Sequence, residues 1–104
     1  MRITWSEPAV ANLEAIYHYI SGESPGRAGP FIQRLIEAAE SLQELPRRGR
    51  VVPEGDGSQR EIFVDSYRLI YRIDNDQIFI VTVVHGARDV AALWKDRGGR
   101  KPAR

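Results

Sequence analysis

Cationic side chains and a histidine are concentrated between positions 60 and 89 of this 104-residue chain. They alternate with aromatic residues along one segment and return along a second, apolar segment that ends in His85, Gly86, Arg88 and Asp89. Guanidinium and imidazolium groups that converge at one edge of a sheet can hold an anionic partner. Imidazole, with an unperturbed pKa of about 6.5, also suits proton transfer. The stretch therefore indicates either an anion-facing contact surface or a site for acid–base chemistry.

The segment from Tyr67 to Ile73 has the alternation of a β-strand, in which successive side chains point to opposite faces. One face, expected to pack under helices, carries Tyr67, Leu69, Tyr71 and Ile73. The other face carries Arg68, Ile70 and Arg72. Two interpretations of this second face remain open. Either its arginines are solvated on an open sheet face, as is common in antiparallel sheets, or the face is concave and brings Arg68 close to three residues of neighbouring strands: Arg60, His85 and Arg88.

The rest of the sequence offers little other chemistry. It contains no cysteine, no glycine-rich phosphate loop and no residues with metal-ligand spacing, so neither a metal nor a cofactor is expected. The net charge of +1 is divided unevenly. Residues 1–45 contain three arginines and six glutamates, which gives a net charge of −3. Residues 46–104 contain twelve Lys or Arg and eight Asp or Glu, which gives +4. The carboxyl-terminal half is therefore expected to face an anionic partner.

The length and composition are those of one globular domain. A chain of 104 residues, 42% hydrophobic and 28% charged, can bury a single core. The absence of cysteine fits the cytoplasm, and the amino terminus lacks the apolar run of a signal peptide or a membrane span. We predict a single domain over residues 1–95. Residues 96–104 are polar and basic, and are expected to form a flexible tail.

The elements that position the basic stretch follow from hydrophobic periodicity. A short strand is predicted over Arg2–Trp5, and Ser6 is a good N-cap for a first helix. Apolar residues recur at helical spacing in that helix, which ends near Ser21 and Gly22. A second helix is predicted to begin near Gly29, with Pro30 in its first turn, because proline breaks the hydrogen bonding of a helix interior. The alternative is a start at Ser24 and Pro25.

Pro46 closes the second helix, and the two apolar stripes face each other as an antiparallel hairpin. The long connection from Pro46 to Gln59 is rich in Gly, Pro and Arg. Connections of this length are uncommon and tend to be functional or mobile. Three strands joined by tight turns then form an antiparallel meander, over Glu61–Val64, Tyr67–Ile73 and Gln77–His85. With a short helix over Val90–Lys95, the predicted class is α+β: an N-terminal strand, a helical hairpin packed on the meander, and a short C-terminal helix.

Five motifs in this order resemble the RelE/ParE superfamily of bacterial type II toxins: WSEPAVANLEAIYHYI, PRRGR, REIF, YRLIYRI and HGARD. The resemblance extends from Ile3 to about Trp94, and the ordered set is more specific than any one motif. It implies a small cytoplasmic toxin held inactive by a co-expressed antitoxin, in a toxin–antitoxin hetero-oligomer. It also implies a strand, a helical hairpin and a meander, in agreement with the periodicity.

RelE-like members of the superfamily cut messenger RNA inside the ribosome. That reaction needs a base for the ribose 2′-hydroxyl, an acid for the leaving oxygen and cations for the charged phosphorane. Arg68 and Arg88 match positions at which RelE-like ribonucleases keep arginines. The lysine pair of that pattern is replaced by Glu61 and Phe63, and its tyrosine by Trp94. The resemblance leaves a carboxylate-and-histidine site as an alternative, with four candidate catalytic residues: Glu61, Arg68, His85 and Arg88.

ParE-like members stabilise the cleaved complex of DNA gyrase with DNA, which is inhibition by binding and needs no acid–base set. The PRRGR, YRLIYRI and HGARD motifs look more like this branch, so the preferred prediction is a gyrase-directed toxin. Its target-binding residues would be Arg60, Arg68, Arg72, His85 and Arg88, and the tail beyond Lys95 would add a second contact.

The third hypothesis is a toxin fold that is no longer toxic and acts only by binding its antitoxin. In all three cases the antitoxin would lie over the helical hairpin and along the sheet edge. Partly exposed apolar residues on the helices are expected to receive it, namely Ile20, Phe31 and Ile32. No membrane partner is expected.

Overall fold

The computed structural model describes residues 1–87. Three predictions lie outside the described residues: the role of Arg88, the helix over Val90–Lys95 and the tail over 96–104. Within the described part, neither helix combines the length and the apolar character that a bilayer-spanning helix requires.

A mixed five-stranded sheet forms the base of the fold. Its strands are β1 (Arg2–Trp5), β2 (Arg50–Val51), β3 (Gln59–Val64), β4 (Tyr67–Asp74) and β5 (Gln77–His85). They lie in the order β1-β5-β4-β3-β2. The last three strands form the predicted antiparallel meander, and β1 pairs in parallel with β5. The α+β class is confirmed.

The meander turns where short polar side chains allow an unusual backbone. Asp65, between β3 and β4, and Asn75, between β4 and β5, both have φ of 53°. Asp and Asn tolerate this left-handed conformation better than other residues with side chains, because their short polar groups bond the local backbone. Both turns therefore lie where the sequence predicted them.

Helix α1 (Glu7–Glu23) begins at the predicted cap. The hydroxyl of Ser6 accepts a hydrogen bond from the Ala9 N–H at 3.0 Å and donates one to the Val81 carbonyl at 2.9 Å. One side chain thus caps the helix and fixes it to β5. Ala9, Ile16 and Ile20 form the buried face of α1.

Helix α2 (Pro25–Glu40) continues into a single 3-10 turn over Ser41–Gln43. The predicted start near Gly29 is therefore wrong, and Pro30 lies inside the helix. Its missing N–H leaves the Gly26 carbonyl without its intrahelical donor, but both residues are exposed, so water can satisfy that oxygen. Ala28 and Phe31 on either side are buried. Their packing outweighs the local cost of proline.

The main core lies between the helices and the sheet. Leu69 and Tyr71 of β4 are fully buried there, on the face predicted to pack under the helices. A second, smaller apolar cluster lies on the opposite face of the sheet, where Val52 packs with Ile70, Val81 and Val84. That face is therefore not simply open to water, because the β2–β3 loop contributes Val52 to it.

Candidate functional site

Arg68 extends from the face of the sheet opposite the helices, and it is 4% exposed. Its Nε donates to Glu61 Oε1 at 2.8 Å, and its Nη1 and Nη2 donate to the two carboxylate oxygens of Glu54 at 3.1 and 2.9 Å. The predicted presence of Arg68 on an anion-binding surface is therefore corrected: its charge is balanced inside the protein. The hydrogen bonds from Arg68 lower the pKa of the Glu54 carboxyl.

Glu61 is the centre of this ion network. Its side chain is fully buried, and its second oxygen accepts from Arg50 Nε at 2.6 Å. A buried carboxylate is tolerated only when it is paired and hydrogen-bonded. Two arginines and two glutamates thus form one compensated group of four residues: Arg50, Glu54, Glu61 and Arg68.

Arg60 lies on the other face, since its partner across the β3–β4 ladder is the buried Tyr71. Its Nη1 donates to the Gly49 carbonyl at 2.7 Å. The Tyr71 hydroxyl donates to the Pro46 carbonyl at 2.6 Å and accepts from the Gly49 N–H at 3.0 Å. Arg60 and Tyr71 together hold the PRRGR segment against the sheet.

Gly49 is required at the centre of this contact. A Cβ at this position would lie 2.7 Å from both the Glu61 carbonyl oxygen and the Tyr71 hydroxyl, closer than real Cβ atoms approach. The connection predicted to be functional or mobile is therefore fixed over Pro46–Arg50, and it displays Arg47, Arg48 and Arg50 at the surface.

Arg72 shares the sheet face of Arg68 but is occupied locally. Its Nε pairs with Asp74 at 3.0 Å, and its guanidinium carbon lies 4.5 Å from the centre of the Phe79 ring. Both members of the ion pair are partly exposed. The pair with Asp74 and the contact with the Phe79 ring hold the Arg72 side chain along the sheet surface.

His85 lies on the helix side of the sheet, away from Glu61. It pairs across the ladder with Tyr67, and the two rings meet edge to face at 5.5 Å. Its Nδ1 accepts from the Ala87 N–H at 3.2 Å, while the Gly86 N–H donates to the Ser66 carbonyl. The structure thus separates the predicted basic residues: Arg68 and Arg72 lie on one face, and Arg60 and His85 on the other.

The three residues predicted to bind an antitoxin are less accessible than expected. Ile20 and Phe31 are 7% and 5% exposed and belong to the core, and Ile32 packs against it. The prediction of exposed docking residues is wrong for the first two, because both helices direct these positions toward the sheet. The exposed large apolar residues of α1 are Val10, Tyr17 and Tyr19.

One exposed aromatic residue was not predicted as part of a site. Phe63 of β3 is 53% exposed, and the guanidinium of Arg50 lies 5.8 Å from the centre of its ring. Strand alternation predicts the sheet face on which Phe63 lies, but not how much of its ring is exposed. Among residues 1–87, no group of three or more His, Cys, Asp or Glu side chains is arranged to hold a metal ion.

Comparison with known proteins identifies the family. The family model described as the ParE toxin of the type II toxin-antitoxin system parDE matches residues 3–90. Toxin RelE2 of Caulobacter vibrioides is 36% identical over 88 residues, which cover 84% of this chain and 97% of that protein.

Solved structures show the same fold. The chromosomal ParDE system of P. aeruginosa superposes with a TM-score of 0.70 at 25% identity, covering 82% of this chain and 95% of that one. The RelBE2 toxin-antitoxin complex of Mycobacterium tuberculosis gives 0.61 at 22% identity, covering 81% and 95%. The resemblance to the RelE/ParE superfamily is confirmed: the chain belongs to the ParE toxin family of type II toxin-antitoxin systems.

Proposed function

We propose that this toxin inhibits DNA gyrase by binding and carries out no bond cleavage of its own. The observation that carries the proposal is the separation of the two candidate proton-transfer groups. Glu61 is fully buried between Arg50 and Arg68 on one face of the sheet, whereas His85 is exposed on the other.

Cleavage of RNA by an acid and a base requires both groups within hydrogen-bond reach of one phosphodiester. Two groups on opposite faces of a sheet do not meet this condition. The carboxylate of Glu61 is also engaged by two guanidinium groups at 2.6 to 2.8 Å, so accepting a substrate proton would disrupt a buried ion network. Inhibition by binding requires no pair of proton-transfer groups.

The alternative function is a ribosome-dependent ribonuclease, and the relative named RelE2 favours it. Under this alternative, Arg68 and Arg88 would stabilise the charged phosphorane. Arg68 meets that requirement poorly, because its guanidinium is already bound to Glu54 and Glu61. We therefore keep the gyrase-directed function as the proposal.

The natural partner in the cell would be an antitoxin, as in the ParDE and RelBE2 systems with the same fold. We place its helical contact on two exposed apolar residues that lie seven positions apart on one side of α1, Val10 and Tyr17, instead of on the buried Ile20 and Phe31. Exposed apolar side chains on a helix next to the buried stripe are typical of surfaces that receive an amphipathic helix. The complex would form in the cytoplasm, where gyrase acts.

The test compares two activities of the purified protein. Supercoiling by gyrase should be inhibited, with accumulation of the cleaved complex, whereas mRNA on programmed ribosomes should remain intact. His85→Gln should leave growth inhibition unchanged, because the exposed imidazole is not catalytic in this proposal. Codon-specific cuts in mRNA that disappear in His85→Gln would refute the proposal in favour of the ribonuclease. A folded protein that causes no growth arrest would instead support the antitoxin-binding module.

The antitoxin surface has its own test. Tyr17→Asp should weaken antitoxin binding at least tenfold in a titration, because it places a charge in an apolar contact. Ala11→Asp, exposed on another side of the same helix, is the matched control and should bind normally. Equal affinities of the two variants would place the antitoxin elsewhere.

A further inference from the structure

Positive charge is balanced unevenly among the arginines between positions 46 and 87. Three of these arginines pair with carboxylates at 2.6 to 3.0 Å: Arg50, Arg68 and Arg72. Within residues 1–87, no carboxylate lies within ion-pair distance of the other three: Arg47, Arg48 and Arg60. The charge of this second group is not compensated by a bound acid, and we refer to these three residues as the arginine cluster.

The arginine cluster is a cluster in space as well as in sequence. Arg60 Nη1 lies 3.5 Å from the carbonyl oxygen of Arg47 and 2.7 Å from that of Gly49. Burial raises the pKa of the Tyr71 hydroxyl, and the positive charges of Arg60, Arg48 and Arg47 oppose that rise. All three guanidinium groups therefore act on one buried oxygen, so they lie close together at this end of the sheet.

The fold directs Arg47 and Arg48 to the surface. The backbone of their segment is bound from the inside, because the Pro46 carbonyl accepts from Tyr71 and the Gly49 carbonyl accepts from Arg60. The side chains of Arg47 and Arg48 are exposed. Arg48 Nε donates to the Ser41 hydroxyl at 3.0 Å, which orients that side chain without neutralising it. Two cations are thus presented on a backbone that is already ordered.

The acids nearest to the cluster on adjoining elements have other partners. Arg48 borders a shallow depression that Glu37 and Asp65 also line. Glu37 accepts from the Gln33 amide at 3.3 Å, and Asp65 pairs with Arg34 at 2.8 Å. Neither carboxylate is bound to the arginine cluster, and Arg47 does not line the depression. The uncompensated charge is therefore centred on the PRRGR segment and not on the depression.

Guanidinium groups without a bound carboxylate favour an anionic partner, and phosphate oxygens match the guanidinium fork. Contacts to a phosphate backbone need charge and hydrogen-bond donors, and they position a protein on nucleic acid. The strongest contacts of protein interfaces instead lie in well-packed, desolvated pockets. The exposed cluster contains no apolar side chain, although Leu45, which is 62% exposed, lies just before it. The cluster itself therefore favours phosphates, and Leu45 is the residue that would indicate a protein surface.

We propose that Arg47 and Arg48 bind the phosphate backbone of double-stranded DNA, while Arg60 holds their segment in position. This inference deepens the proposed function and rests on it in one respect: the complex of gyrase with DNA supplies the duplex. It assigns the DNA contact to the PRRGR segment, whose two exposed arginines were not among the predicted target-binding residues.

The first test measures binding of the full chain to a short labelled DNA duplex over a range of salt concentrations. Arg47→Gln combined with Arg48→Gln should weaken binding at least tenfold at low salt. The slope of log affinity against log salt should fall by about 1.8, since each phosphate contact contributes about 0.9. A single-stranded RNA of equal length should bind no more tightly than the duplex.

The matched control is Arg2→Gln combined with Arg27→Gln. It removes the same charge from two exposed arginines elsewhere, and within residues 1–87 neither of them has a carboxylate within ion-pair distance. Its duplex affinity should change less than threefold. Equal losses in the two double variants would overturn the inference, because binding would then follow net charge alone. Tighter binding of the RNA would overturn the assignment to DNA.

The second test measures how much protein is needed to accumulate the cleaved complex of gyrase with DNA. The Arg47 and Arg48 double variant should require at least tenfold more protein, with unchanged antitoxin affinity as evidence of folding. Leu45→Ser should act within threefold of the wild type. Unchanged potency of the double variant would overturn the inference. So would a tenfold loss in Leu45→Ser alone, because the segment would then contact a protein surface.

Failure of the inference and failure of the proposed function give different results. If the wild-type protein does not inhibit gyrase, the proposed function fails, and the duplex titration alone decides the DNA contact. If the wild-type protein inhibits gyrase but both double variants bind the duplex with the wild-type salt slope, the proposed function stands and the DNA contact is wrong.

Discussion

Tyr71 connects the core of this toxin to its most basic surface segment. Its ring is fully buried, and its hydroxyl bridges the Pro46 carbonyl and the Gly49 N–H. Burial raises the pKa of this phenol, since the charged form would lose its solvation. One residue thereby fixes the backbone of a loop whose arginines remain at the surface.

Tyr71→Phe should destabilise the protein by about 1–3 kcal/mol, because two backbone groups lose their buried partner while the ring volume is kept. Urea denaturation at neutral pH measures the loss. Tyr17→Phe is the control, since Tyr17 is 43% exposed on α1 and should change stability by less than about 0.5 kcal/mol. Equal effects of the two substitutions would show that the bridge contributes nothing.

The ion network around Arg68 allows a second comparison between single residues. Glu61→Gln should cost about 3 kcal/mol, because the fully buried carboxylate compensates two arginines. Glu54→Gln should cost less than about 1 kcal/mol, since the Glu54 side chain is 31% exposed and water can replace it. Urea midpoints of the two variants check the order, and a larger loss for Glu54→Gln would contradict the assignment of Glu61 as the centre.

At the scale of the elements, α2 carries a proline that its tertiary packing tolerates. Pro30→Ala restores the N–H that the Gly26 carbonyl lacks and should stabilise the protein by about 1–3 kcal/mol. Gly29→Ala, at a site where a Cβ meets no atom within 4 Å, should gain up to about 1 kcal/mol. Thermal unfolding of both variants measures these gains. A lower midpoint for Pro30→Ala would mean that the proline is required where it lies.

The helix cap and the turns were predictable because each depends on the type of one residue and its immediate neighbours in the sequence. Ser6 caps α1 with its own side chain, and Asp65 and Asn75 adopt the positive φ of the two turns, a conformation that Asp and Asn tolerate. The start of α2 was mispredicted because the burial of Ala28 and Phe31 outweighs the cost of Pro30. The pairing of β1 with β5 joins residues more than 70 positions apart, and hydrophobic periodicity contains no information about such pairs.

At the scale of the whole molecule, contacts between residues distant in sequence also explain why the candidate site differs from the prediction. Alternation placed Arg68 on the correct face of the sheet, but its partners Glu54 and Glu61 come from a loop and a neighbouring strand. His85 faces the helices because of its register with Tyr67. The sequence therefore predicts which residues are charged and on which face of the sheet Arg68 lies. Which arginines are paired with buried carboxylates, and which surface is left for a partner, depends on the assembled fold.

The stability of the whole molecule should depend on pH at both extremes. Arg68 lowers the pKa of Glu54 and the hydroxyl of Ser58 lowers that of Asp56, from ordinary values of 4.5 and 3.8. Folded-state values below the unfolded ones mean that this stabilisation is complete above about pH 5 and is lost as the pH falls through the folded values.

Burial raises the pKa of Tyr71 and Tyr67 above 10.0, so the unfolded state releases these protons first and stability falls as the pH rises past about 10. Urea denaturation between pH 3 and 11 should therefore give a plateau from about pH 5 to 9. Tyr71→Phe should lie lower on that plateau and lose less stability above pH 10 than the wild type, and an identical alkaline slope would show that Tyr71 does not titrate as its burial requires.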